Sequence, residues 1–289
     1  MSVLVKGSGG SGSITIDGSK IKTKLDLQTQ YCNITLPYNS LDVEDISLVV
    51  LNGEIHRLGG KNTTTTHLKF DGSEWVTVST LPYSFNSGAA VVYNGEIHIF
   101  GASTTTYRTY HYKWNGTSWS KASTLPYAFC YGQALVYNNE IHILGGNDDE
   151  TAVKHYKWNG STWTSVSTIP YEFTNSSAVV YNDEIHILGA KTSGARTNHY
   201  KLTGSTWTKV STLPYDFYGG NAVVVDGKLH ILGGANHITA HYVFNGTEWE
   251  EALSLPFGLY LGGACEINNN IYIFKQSFAV LNKKIYQEV

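Results

Sequence analysis

The stretch Ala89-Ala90-Val91-Val92-Tyr93-Asn94-Gly95-Glu96-Ile97-His98-Ile99-Phe100-Gly101 decides the fold of this chain. Two short runs rich in β-branched and aromatic residues flank Asn-Gly, a strong two-residue hairpin signal because both turn positions need positive φ. Each run is much shorter than a helix, and no 3.6-residue period joins them. Working outward, a polar loop from Ser103 to Thr109 leads to Tyr110–Trp114, a second tight turn at Asn115-Gly116, and then Trp119–Ser123. Pro126 ends the unit, since proline cannot donate to a ladder. Residues 84–127 therefore read as four strands, here lettered a to d.

The unit recurs. Leu-Pro-aromatic stands at Leu36-Pro37-Tyr38, Leu81-Pro82-Tyr83, Leu125-Pro126-Tyr127, Ile169-Pro170-Tyr171, Leu213-Pro214-Tyr215 and Leu255-Pro256-Phe257, at spacings of 45, 44, 44, 44 and 42. These six positions use every proline of the chain. Strand b repeats as Ile55-His56, Ile97-His98, Ile141-His142, Ile185-His186, Leu229-His230 and Ile271-Tyr272, and strand d begins with Trp75, Trp119, Trp163, Trp207 and Trp249. Four strands in about 40–50 residues, with Gly and Trp at fixed offsets, read as one blade of a β-propeller.

The strand ending in Gly59-Gly60, Gly145-Gly146 and Gly233-Gly234, followed by a Tyr and then a Trp, resembles the kelch repeat. The doublet becomes Gly101-Ala102 and Gly189-Ala190 in two units and is lost at Phe274-Lys275. The resemblance implies an all-β fold: a six-bladed β-propeller of four-stranded kelch-type blades over 36–289, behind a short N-terminal arm, 1–35. The last repeat is expected to supply its own outer strand, Ile285 to Val289. The arm carries the Gly/Ser run 7–13 and a hairpin signal around Asp17-Gly18, and is expected to add an edge strand to blade six or to serve as an attachment segment. The start of the chain resembles the N-termini of tail-associated proteins of phages and prophages, which implies a virion assembly as a partner.

Composition excludes several classes. The net charge is −3 with 15% charged residues, so no basic field invites nucleic acid. No run approaches the ~18 apolar residues of a membrane span. The first residues lack the apolar core of a secretory signal, which points to a cytoplasmic or virion-associated protein. Cys32, Cys130 and Cys265 are too few and too scattered for a disulfide framework or a zinc site.

The internal copies can be compared with one another. The a–b and c–d turns are uniform because their geometry demands Asn, Asp or Gly. The b–c and d–a loops share the opposite face of the disc, and there the copies diverge. Loops on a rigid scaffold are where recognition tends to sit. The expected ligand contacts are Tyr107, Arg108, Tyr131, Asp148, Asp149, Glu150, Arg196, Tyr218, His237 and Tyr260. Tyrosines beside Asp, Asn and Arg suit a glycan or a protein surface, offering an apolar plane with a polar tip.

Other constellations reduce to packing. Ten of the eleven histidines occupy repeat positions on strands b and c, with gaps of 11 or 13 that pair them across the b–c hairpin. Metal ligands must converge on one point, so neither a metal nor a cofactor is expected. Only His237 leaves the pattern. Asp148-Asp149-Glu150 matches no calcium-loop spacing and reads as a solvated charge run. Cys130-Tyr131 has a Tyr and Cys, as do the kelch-type copper oxidases, but adjacent in one loop and without a second loop histidine. The functional expectation is a non-enzymatic recognition or adhesion module acting through the b–c/d–a face. One alternative is a sugar-acid mutarotase or epimerase, which would need acid/base groups converging on the channel. Another is a cytoplasmic protein-interaction scaffold.

Overall fold

The computed structural model describes residues 30–32, 44–72, 74–147, 152–275 and 278–282. Five sheets are each built from four consecutive strands. The first holds β2 (Ser47–Leu51), β3 (Glu54–Leu58), β4 (Thr66–Phe70) and β5 (Trp75–Thr80). The second holds β6 (Ala89–Tyr93), β7 (Glu96–Phe100), β8 (Tyr110–Trp114) and β9 (Trp119–Thr124). The third holds β10 (Gln133–Tyr137), β11 (Glu140–Leu144), β12 (Lys154–Trp158) and β13 (Trp163–Thr168). The fourth holds β14 (Ser177–Tyr181), β15 (Glu184–Leu188), β16 (Asn198–Thr203) and β17 (Thr206–Thr212). The fifth holds β18 (Asn221–Val225), β19 (Lys228–Leu232), β20 (His241–Phe244) and β21 (Trp249–Glu251).

A further four-stranded sheet is composite. β22 (Gly263–Ile267), β23 (Asn270–Phe274) and β24 (Phe278–Asn282) are joined by β1 (Gln30–Cys32), which pairs antiparallel with β24. This corrects the expectation that the last repeat supplies its own outer strand, and it agrees with the alternative of an edge strand contributed from residues 1–35. The outer place is held by a strand from far upstream, and the strand expected at 285–289 lies outside the described residues. All pairings are antiparallel, and β2, β6, β10, β14, β18 and β22 are neighbours in a closed ring. The molecule is an all-β propeller of four-stranded blades.

The cores lie between blades. Val49 and Leu58 of the first sheet pack with Ile97 and Ile99 of the second, and Ile55 and Phe70 meet Cys265 and Phe274 of the composite sheet. The strand covered on both faces is b: Ile97, Ile99 and Phe100 are fully buried, whereas Ala90 and Val92 of strand a are half-buried. The second aromatic of each blade joint, Phe85, Phe129, Phe173 and Phe217, is also fully buried.

The glycine doublet follows from this packing. Gly59, Gly101, Gly145, Gly189 and Gly233 adopt φ near +60°, and a Cβ there would fall about 2 Å from the carbonyl oxygen of Phe85, Phe129, Phe173, Phe217 or Leu259 on the next joint. The first glycine is therefore obligatory, while the second tolerates Ala102 and Ala190. The tyrosine of Leu-Pro-Tyr locks the same spot: Tyr83, Tyr127 and Tyr215 donate their hydroxyls to the carbonyls of Gly101, Gly145 and Gly233. The composite blade loses both partners together, having Phe257 without a hydroxyl and Lys275 in place of the glycine.

The histidines form inter-blade chains. In the first sheet His56 Nδ1 meets His67 Nε2 at 2.8 Å, His67 Nδ1 meets Ser79 Oγ at 2.8 Å, and Trp119 of the next blade donates Nε1–H to the same oxygen at 3.0 Å. The second to fourth sheets repeat it as His98–His111–Ser123–Trp163, His142–His155–Ser167–Trp207 and His186–His199–Ser211–Trp249. The fifth replaces the serine: His241 Nδ1 donates to the Leu253 carbonyl at 3.2 Å. The expected pairing across the b–c hairpin is thus present, and the tryptophans that open strand d staple neighbouring blades.

Candidate functional site

The d–a loops enter the inner strands through one repeated residue: Asp45, Ser87, Tyr131, Asn175, Gly219 and Leu261. All six lie in the left-handed region, with φ between 47° and 64°. Each donates its backbone N–H to the carbonyl of the preceding member around the ring, at 2.7–3.2 Å, and Asp45 closes the circle onto Leu261. Left-handed backbone costs a non-glycine residue about 1–2 kcal/mol, and the cooperative ring of peptide bonds offsets it. The conformation is tolerated by Asn175 and Asp45, whose side chains favour this region, whereas Tyr131 and Leu261 bear its full cost. Strained backbone of this kind gathers at functional sites.

The ring collars an axial channel of about 230 Å³. That is below the roughly 300–1,000 Å³ of drug-sized ligand sites. Its lining is mostly small and uncharged: glycines, alanines and serines of the first turns of the inner strands, with Ile46, Leu48, Tyr131, Leu261, Gln133, Asn175 and Asn221. Among the described lining residues Asp45 is the one carboxylate, and none is Arg, Lys or His. Asn221 is held by the Gly262 carbonyl and the Ala264 N–H, and Ser47 and Ser177 donate to the Gly88 and Gly220 carbonyls.

Beside the channel, an arc of side chains crosses from the fourth sheet to the first. Arg196 pairs with Asp216 (3.3 Å), donates Nε–H to the Lys191 carbonyl and lies 4.8 Å from the Tyr218 ring centroid. The Tyr218 and Tyr260 rings stand perpendicular with centroids 6.3 Å apart. Lys275 lies 5.5 Å from the Tyr260 centroid, donates to the Tyr260 carbonyl, and pairs with Glu44, which also pairs with Lys61. The edge of Tyr260 rests where a Cβ on Gly219 would stand, so the bare glycine of the ring lets the tyrosine overhang the channel rim. Burial, with Tyr218, Glu44 and Asp45 adding to it, raises the Tyr260 hydroxyl above its ordinary value and keeps it a donor.

Of the residues singled out from sequence, the structure brings Arg196, Tyr218 and Tyr260 together and puts Tyr131 on the channel wall. Tyr107 belongs to an aromatic cluster with Tyr83 and Tyr110, both at 5.3 Å. Arg108 folds back on its own loop, donating to the Ser103 carbonyl. His237 is exposed, its ring 4.8 Å from that of Tyr215 and tilted 35° to it. Asp148, Asp149 and Glu150 lie outside the described residues. Sequence reasoning missed Glu44, Asp45, Asp216 and Lys275. Lys275 carried a readable signal, since it stands where the other blades require glycine. Among the described residues no group of His, Cys, Asp and Glu could hold a metal ion, and no helix is long and apolar enough to cross a membrane.

No family model matches this chain, and no curated protein matches it in sequence. Among solved structures, one titled "Structure of YjhT" superposes with a TM-score of 0.71 at 16% identity, covering 86% of this chain and 95% of that one. At that identity the likeness concerns the fold: this chain shares its propeller architecture with that protein.

Proposed function

We propose that this chain is a recognition module that binds a carbohydrate through the b–c/d–a face, at the rim of the axial channel. The observation that carries the reading is the Tyr218–Tyr260 corner, held open beside the channel by its own charged neighbours. Rigid aromatic side chains on a fixed scaffold contribute large contact area at low entropic cost. A mutarotase would need a cation and an acid/base pair converging on the channel, and the described lining offers Asp45 alone. Recognition is therefore the reading that the site supports further. Part of the same proposal is that the repeats are of kelch type and that the residues ahead of β1 attach the propeller to a larger assembly, a phage virion in the fullest form. The test is a glycan-array screen of the full chain beside its Tyr218→Ala/Tyr260→Ala double variant. Binding by the parent and loss in a folded double variant is the expected result, and equal binding by both refutes the placement.

A further inference from the structure

We infer that the ligand of this face is an uncharged saccharide, one ring of which sits in the Tyr218–Tyr260 corner at the channel rim. The inference rests on the recognition reading above and deepens it. Two half-buried phenol rings at 90° and 6.3 Å form a corner that meets one face and one edge of a ring-shaped ligand. A sugar ring has an apolar C–H face and a polar rim, which matches an aromatic plane flanked by hydrogen-bonding groups.

The charge argument narrows the class. An anionic ligand needs a cation it can engage without stranding another group. Arg196 is shared between Asp216, the Lys191 carbonyl and the Tyr218 face. Lys275, only 16% exposed at its side chain, is shared between Glu44 and the Tyr260 carbonyl and also packs on the Tyr260 ring. Recruiting Arg196 to a ligand would draw it off Asp216 and off the Tyr218 face, and recruiting Lys275 would draw it off the Tyr260 ring and carbonyl as well as Glu44, so either change takes away a support of the corner that binds. A cationic ligand meets the mirror-image problem, because the same carboxylates are engaged. Among the described residues of this arc, the cations Lys61, Arg196 and Lys275 are matched in number by Glu44, Asp45 and Asp216, so the arc itself offers no excess charge of one sign to an ion. Arg196 and Lys275 are thus positioning residues. They fix the two rings before the ligand arrives, which lowers the ordering cost of binding. The narrow channel beside the corner, lined mostly by small uncharged residues with Asp45 as its one described carboxylate, continues the same chemistry for a terminal sugar substituent.

The experiment immobilises the full chain and titrates two matched sets of oligosaccharides. One set is neutral; the other carries a terminal uronate or sialate on the same cores. Each is measured at low salt and at about 0.5 M NaCl, where Coulombic attraction between exposed charges is screened to a few ångströms. The expected result is binding of neutral members that salt leaves unchanged and that Tyr260→Ala weakens by about tenfold or more, equal to about 1.4 kcal/mol. Tyr260→Phe retains the ring and so retains binding, which separates loss of the corner from failure to fold. Lys275→Gln weakens binding of the neutral members with no change in its salt dependence, as expected of a brace. Preference for the acidic set with affinity falling in salt overturns the inference and leaves the recognition reading standing. Binding by neither set overturns the inference together with that reading.

Discussion

Lowering the pH from 7.5 to 5.5 should remove much of the stability of the propeller, through the histidine chains between blades. The strand-c imidazoles are the clearest case. Burial, and next to it the partner histidine of the pair, holds His67 at about 3, His111 at about 2, and His155 and His199 at about 3. Burial holds His241 at about 4. The strand-b partners His56, His98, His142 and His186 are lowered by burial too, with Glu54, Glu96, Glu140 and Glu184 opposing. Geometry gives the same sign. Each pair has one proton between its facing nitrogens, and a second would set N–H against N–H. The unfolded chain binds these protons near pH 6.5 and the folded chain does not, so stability is full above about 6.5 and falls as pH drops toward the folded values. Between pH 7.5 and 5.5 each such group contributes about 1.4 kcal/mol of loss. The five strand-c groups alone give about 7 kcal/mol, against a total of about 5–15 kcal/mol for a typical domain. Urea unfolding followed by tryptophan fluorescence at the two pH values reads this directly. Replacing one pair, as in His98→Gln/His111→Gln, should flatten the dependence by about 1.4 kcal/mol or more. An unfolding free energy that is equal at pH 7.5 and 5.5 would refute the reasoning.

Three further outcomes are expected. Gly145→Ala should destabilise by about 2–4 kcal/mol, because its Cβ would lie 2.1 Å from the Phe173 carbonyl, whereas Gly234→Ala should cost less, since its Cβ would meet nothing nearer than the Tyr218 carbonyl oxygen at 3.2 Å and only the strain of its positive φ remains; equal costs in urea melts would contradict the joint described above. Trp163→Ala should lose about 2–4 kcal/mol, less than a fully buried tryptophan because the ring is half-buried, and should exceed Tyr131→Ala in the same assay. Tyr131→Gly should leave stability near the parent's, since relief of about 1–2 kcal/mol of left-handed strain offsets the lost ring contacts, and a large loss would mean that the ring, not the backbone, holds that position.

The blades were legible because their determinants are local. Asn94-Gly95 states its turn in two residues, with φ of 51° and 76°, while the Leu-Pro-aromatic marker recurs six times and the strand-d Trp five times. The channel collar was not legible. Tyr131 and Leu261 adopt a conformation that their own chemistry disfavours, and only the ring of neighbouring peptides makes it the lowest in energy. What Arg108 does locally was hidden for a related reason: it donates to the Ser103 carbonyl of its own loop, a contact no sequence pattern announces. Asp216 and Glu44 stood in plain sight, but what marks them is the partner each meets across a blade boundary. Lys275 shows the reverse case, a departure from the repeat that does mark the site.

The composite sheet sets an order of events for the growing chain. β1 leaves the ribosome early, yet its partner comes 252 residues later, Gln30 facing Asn282. The five contiguous blades can form one by one as they emerge, through contacts no more distant than the next repeat. The ring can be fastened only when the last strand appears. Closing a loop of that length costs roughly 5 kcal/mol of chain entropy, scaling as 1.5 RT ln n. Among the described strands closure is therefore the least local step, and a circular permutant opened at the Asn115-Gly116 turn, with a linker joining β24 to β1, would move that step to another blade.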